Sequence, residues 1–215
     1  SALREALPQS QRVAASYLVG ERLIRMLIGF FVHTWMARSF SPEDFGFISF
    51  TVKSVGIYFA FSLFGVDEVI IKLLVGARDQ AEKRDVLKTA LLMRLGIGVV
   101  GWIALALITG YVSGTDSDVW ITSVIFGSTI LLQAFTVYEL PFYAQMTMRP
   151  IFFVKNTSYL AGALAKFVAF FSNWNRFIFV GLYGVEDVLW KGLLLYKSKQ
   201  WGFLGGKWNR TIARL

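Results

Sequence analysis

Residues 86–111 read VLKTALLMRLGIGVVGWIALALITGY, and whether this run is a strand-turn-helix or one long helix decides the fold. Gly96 to Gly101 spells G-x-G-x-x-G, and Asp116 follows near the distance where a ribose-binding acid would be expected. That fingerprint needs a preceding strand and a helix N-terminus open to a pyrophosphate. Here the glycines lie inside an apolar run longer than the roughly 20 residues that cross a bilayer, where small residues let helices approach one another closely. The run therefore reads as a membrane span, and no dinucleotide or other cofactor is expected.

Working outward, five more runs of that length follow the same pattern: residues 15–36, 45–64, 119–140, 151–171 and 177–196. Short polar turns separate them, and residues 65–75, GVDEVIIKLLV, read as an interfacial helix finishing span two because Asp67, Glu68 and Lys72 crowd together. Ser41, Pro42 and Asp44 supply an N-cap, a first-turn proline and a short capping box for span two, and residues 116–118 can cap span four. Composition agrees: 55% of the 215 residues are hydrophobic and 17% charged, with a mean hydropathy of +0.55, outside the range of an ordinary soluble domain. The expected fold is an all-α membrane protein, a bundle of six transmembrane helices over residues 15–196. Residues 1–14 form an amphipathic N-terminus without the apolar core of a cleaved signal, and 197–215 form a basic tail.

The net charge of +8 is distributed by loop and not gathered in a basic domain, so it speaks for topology and not for nucleic acid. Arg4, Arg12, Arg78, Lys83, Arg84, Lys88, Arg149, Lys155 and the tail's Lys197, Lys199, Lys207, Arg210 and Arg214 fall in alternate segments; the intervening loops hold only Arg38 and Arg176. Both termini are expected on the cytoplasmic side of a cell inner membrane. The sequons at Asn156 and Asn209 fall on that side, so no glycan is expected. Cysteine is absent and His33 stands alone; with no H-E-x-x-H and no nucleophile elbow, neither metal nor hydrolytic chemistry has a foundation. The chain is expected not to be an enzyme.

Ionisable residues inside the spans are then the informative ones, because a charge at mid-bilayer costs about 2.5–3.5 kcal/mol even on the lenient insertion scale. At 100° per residue, Arg22, Arg25, Gly29 and His33 share one face of span one. Gly46, Ser49, Lys53, Gly56 and Ala60 share one of span two, Arg94 lies with Gly98 and Gly101 in span three, and Gly162, Lys166, Ala169 and Asn173 line up in span five. Basic residues thus fall on small, polar faces expected to point into the bundle. Among the acids, Glu21 adjoins Arg22, Glu139 ends span four, and Glu186, Asp187 and Lys191 lie in span six, with Asp187 and Lys191 spaced for an i,i+4 ion pair. The alternative for Lys53 is a pairing with Glu139 or Glu186.

Residues 27–75, LIGFFVHTWMARSFSPEDFGFISFTVKSVGIYFAFSLFGVDEVIIKLLV, resemble the first two spans of the polysaccharide (oligosaccharide, O-antigen type) flippases, in the same superfamily as the multidrug and toxic compound extrusion transporters. YAQMTMRPIFFVKNTSYLAGALAK at 143–166 and LLLYKSKQ at 193–200 are similar to that family's fifth span and the end of its sixth. The resemblance implies one lobe of a two-lobed transporter, with WGFLGGKWNRTIARL at 201–215 leading toward a second lobe or copy. It also implies an undecaprenyl-pyrophosphate-linked oligosaccharide as substrate, carried across the bilayer by alternating access. Arg22, Arg25, Lys53, Arg94 and Lys166 would then form a cationic cavity for the pyrophosphate, with Glu21, Glu139, Glu186, Asp187 and Lys191 as coupling or ion-pair candidates. A multidrug/cation antiporter of the same superfamily and a non-transporting membrane scaffold are the alternatives. An antiporter needs an unpaired intramembrane carboxylate.

Overall fold

A computed structural model describes residues 9–62, 66–115, 117–172, 175–200 and 206–207. Asp116, Asn173, the sequon at Asn209 and most of the terminal tail lie outside the described residues. Helix α1 spans Gln9–Ser39, α2 Pro42–Ser62, α3 Val66–Gly76 and α4 Gln80–Ser113. The fourth run is broken into α5 (Asp118–Gly127), α6 (Thr129–Leu132), a 3₁₀ segment (Gln133–Glu139) and α7 (Leu140–Ala144), after which α8 covers Arg149–Phe171 and α9 Arg176–Gln200. No strand occurs among the described residues.

The starts of α2, α4 and α5 are set by side chains that satisfy orphan N–H groups. Ser41 Oγ accepts from the Asp44 amide at 3.1 Å and donates to its carboxylate at 3.0 Å, which is the expected cap of α2. At α5 the cap is Ser117, accepting from the Trp120 amide. Asp79 accepts from Glu82 N at 2.7 Å, and Glu82 reaches back to the Arg78 amide, so α4 opens with a second reciprocal arrangement.

Burial is distributed inside out. Leu107 and Ile125 are 69% exposed and Phe31 65%, whereas Lys166 is 3% exposed and Arg94 and Glu139 5%. A surface of large apolar side chains around buried charges is what a lipid-facing bundle requires. The stretches Gln80–Ser113 and Asp118–Ala144 are both long and apolar enough to cross a membrane; α1, α2, α8 and α9 meet the length but carry the ionisable residues.

Two apolar clusters close the two ends of the bundle. One gathers Ala14, Leu87, Leu140, Ile151 and Leu194, from the starts of α1, α4 and α8 and the ends of the broken run and α9. The other gathers Met36, Ile48, Ala169 and Phe179, with Val119 packed against it, from the opposite helix ends. Successive long helices therefore run antiparallel. At this second end Arg176 donates to Asp44 at 3.4 Å and Asp118 at 3.1 Å, joining the first turns of α2, α5 and α9; at the first end the Lys207 amide donates to Asp85 at 2.6 Å.

Two glycines of G-x-G-x-x-G, Gly98 and Gly101, pack as small residues in a helix contact, whereas Gly96 is exposed with open space beside it. A Cβ on Gly98 would lie 3.4 Å from the Ile130 carbonyl oxygen, and one on Gly101 3.7 Å from the Ile130 side chain. They let α4 rest against the broken helix. The continuous helix expected for residues 119–140 is a correction: the axis breaks at Gly127-Ser128, a dipeptide type at which helices kink, and continues as seven 3₁₀ residues.

Candidate functional site

Between the apolar ends lies a cavity of about 1200 Å³. Arg22 and Arg25 of α1, Lys53 and Gly56 of α2 and Asp67 of α3 line one part of it. Gln133, Thr136, Glu139 and Tyr143 of the broken helix, Lys155 and Tyr159 of α8 and Tyr183, Glu186, Asp187 and Trp190 of α9 line the rest. A smaller chamber of about 280 Å³ adjoins it toward the second end, reaching Gly29, His33 and Ser49. Arg25, Lys53, Tyr159, Tyr183 and Glu186 border both spaces. The polar faces of α1 and α2 follow from their 3.6-residue periodicity, which brings Arg22, Arg25, Gly29 and His33 onto one side and Ser49, Lys53 and Gly56 onto the other.

Most of the buried charges compensate one another. Lys155 Nζ donates to Glu139 Oε2 at 2.8 Å, and the Tyr143 hydroxyl donates to the same oxygen at 3.2 Å. Lys166 donates to Glu186 at 2.5 Å with its ammonium 3.6 Å from the Tyr183 ring centroid. Arg94 pairs with Asp67 and donates to Thr136, and Lys191 pairs with Asp187, which also accepts from Trp190 Nε1. Arg25 is held more loosely, 3.6 Å from Glu21 and 3.3 Å from the Tyr159 hydroxyl. Lys53 and Arg22 differ from all of these. Both open to the cavity, and neither makes an ion pair or hydrogen bond among the described residues. Arg22 and Lys53 are therefore the excess positive charge of the cavity, and an anion is what such a wall attracts.

The family model for polysaccharide biosynthesis protein matches residues 14–208. The chain belongs to that family. No curated protein and no solved structure shows a significant match to it. Membership ties this polysaccharide biosynthesis protein to the making or export of polysaccharide at a membrane, in accord with the inside-out burial described above.

Within the family member's cavity, the five cations singled out in the sequence have separate situations. Arg22, Arg25 and Lys53 face it. Lys166 lines the smaller chamber, engaged by Glu186. Arg94 does not line either space; it stands behind the wall and fixes Asp67 and Thr136, which do. Glu139 and Glu186, the carboxylates offered as partners for Lys53, pair with Lys155 and Lys166.

Lys155 is the residue that loop counting misplaced. Instead of lying in a cytoplasmic loop it sits one and a half turns into α8, 9% exposed, with its ammonium 4.9 Å from the Trp190 ring. A signal was present: Lys155, Ser158, Gly162, Lys166 and Ala169 form one buried row, so the stripe of span five extends about two turns further back. The sequon residue Asn156 lies in the same helix, donating to the Phe152 carbonyl.

Proposed function

We propose that this chain forms one lobe of a transporter that carries an undecaprenyl-pyrophosphate-linked oligosaccharide from the cytoplasmic to the outer leaflet of the inner membrane. The observation that carries the reading is the pair of uncompensated cations, Arg22 and Lys53, on one wall of a 1200 Å³ cavity. Two phosphates entering a low-dielectric space gain charge-assisted hydrogen bonds there, while apolar outer faces keep the lobe in lipid. A second lobe or a second copy completes the passage, since alternating access rocks one bundle against another around a site between them. The work is translocation, without bond making.

The antiporter reading is weaker on the same ground. Cation exchange wants a free carboxylate, yet Glu21, Glu139, Glu186 and Asp187 each face a basic partner.

The test is complementation of a strain lacking its own O-antigen-type flippase, using the transporter that contains this lobe. Surface polysaccharide should return with the native sequence and be lost with Arg22→Ala/Lys53→Ala at unchanged membrane level. Full restoration by that double variant would refute the reading.

A further inference from the structure

The 3₁₀ segment Gln133–Glu139 is longer than the three or four residues usual for this helix type. Its geometry has a specific result. With three residues per turn, side chains at i and i+3 eclipse, so Gln133, Thr136 and Glu139 form one straight row, and all three line the large cavity. An α-helix would stagger the same residues over about a third of its circumference, at 100° per residue.

Two members of the row are already engaged. Glu139 holds Lys155 and Tyr143, and Thr136 donates to the Gln133 carbonyl while accepting from Arg94. Gln133 is not. Its side chain is 8% exposed, and its amide makes no hydrogen bond among the described residues. A buried amide with a free donor pair and a free acceptor, bordering a cavity, is an unfilled hydrogen-bonding position.

We propose that Gln133 is a specificity-determining residue that hydrogen-bonds a neutral, hydroxyl-rich group, the sugar adjoining the phosphates, in the cavity walled on its other part by Arg22, Arg25 and Lys53. An amide donates and accepts side by side, which matches two neighbouring hydroxyls; a cation matches phosphate instead. The proposal rests on the transport reading above and adds the recognition of the glycan to that of the charge. It also explains why an uncharged polar residue occupies the row at the position where no partner is built.

The experiment measures lipid binding to the purified transporter that contains this lobe, by native mass spectrometry. The probes are undecaprenyl pyrophosphate, bare or carrying one N-acetylglucosamine, N-acetylgalactosamine or galactose. The native chain should bind at least one glycosylated lipid about tenfold more tightly than the bare one, toward the lower end of what two hydrogen bonds formed in place of water give. Gln133→Met, of similar volume, should abolish that preference and leave the bare lipid's affinity unchanged. Gln133→Asn, which keeps the amide but withdraws it by one methylene, should reduce it. Lys53→Ala should weaken bare and glycosylated lipids by the same factor. A preference that survives both Gln133 substitutions, or its absence in the native chain, overturns the proposal while the cationic wall stands. Equal binding by native and Lys53→Ala chains removes the transport reading, and failure of the native chain to bind any of the lipids removes both.

Discussion

Lys53, exposed on the cavity wall, differs from the buried lysines by having no acid to answer it. Lys155, Lys166 and Lys191 each face a carboxylate, and such pairs are self-contained. On the proposed reading the charge at 53 serves the substrate, so Lys53→Arg should keep most transport in the complementation assay, because the charge stays and a planar fork suits phosphate. Lys53→Glu should be the most damaging substitution at this position, since it places repulsion where the anion sits, with membrane abundance close to native. Equal activity of the Arg and Glu variants would show that the position does not sense the substrate's charge. The faces carrying Arg25 and Lys53 were legible in the sequence because period alone fixes which residues share a side of a helix. Partner choice was not legible. Whether a lysine in one helix meets Glu139 or Glu186 depends on the rotation of both helices in the bundle, which no local pattern encodes.

The broken fourth run is the element whose sequence concealed most. Its composition is that of one apolar helix, and Pro141 comes only after the 3₁₀ residues have ended. The readable sign was Gly127-Ser128, where no side chain on the glycine opposes Leu105 and Trp102 of α4; a Cβ there would collide with the leucine. Below the break, Glu139 and Lys155 tie the segment to α8 in a place where both are nearly inaccessible. Removing one partner of a buried pair strands the other charge, so Glu139→Gln and Lys155→Met should each destabilise the chain by about 3–5 kcal/mol. Glu139→Leu/Lys155→Leu together should recover most of that loss, measured by chemical denaturation in detergent. Additive loss in the double variant would contradict an interaction confined to the two groups. The structural role of α4's glycines was legible for a different reason: a dinucleotide site needs a strand before it, and an uninterrupted apolar helix leaves no place for one.

At the scale of the whole molecule, the alternation of basic and base-poor loops and the antiparallel run of the helices are independent lines that both put successive loops at opposite ends of the bundle. Losing Lys155 from the loop tally leaves Arg149 to mark the fourth loop. Reporters fused after Gln80, Arg149 and Lys199 should read cytoplasmic, and those after Pro42, Ser117 and Asn173 periplasmic; a periplasmic signal at Arg149 would require another arrangement of crossings. The membrane class was legible from composition, since apolar content this high has to be covered by lipid. The cavity was legible only as separate stripes, because its volume arises from how five helices and a broken sixth diverge between two packed ends. One guanidinium holds the far end of that arrangement. Arg176 reaches the opening turns of two helices besides its own, spanning 132 residues of sequence to Asp44 and 58 to Asp118. The opening turns of three helices thereby share one cation, so displacing any one of them strains that cation's contacts with the other two.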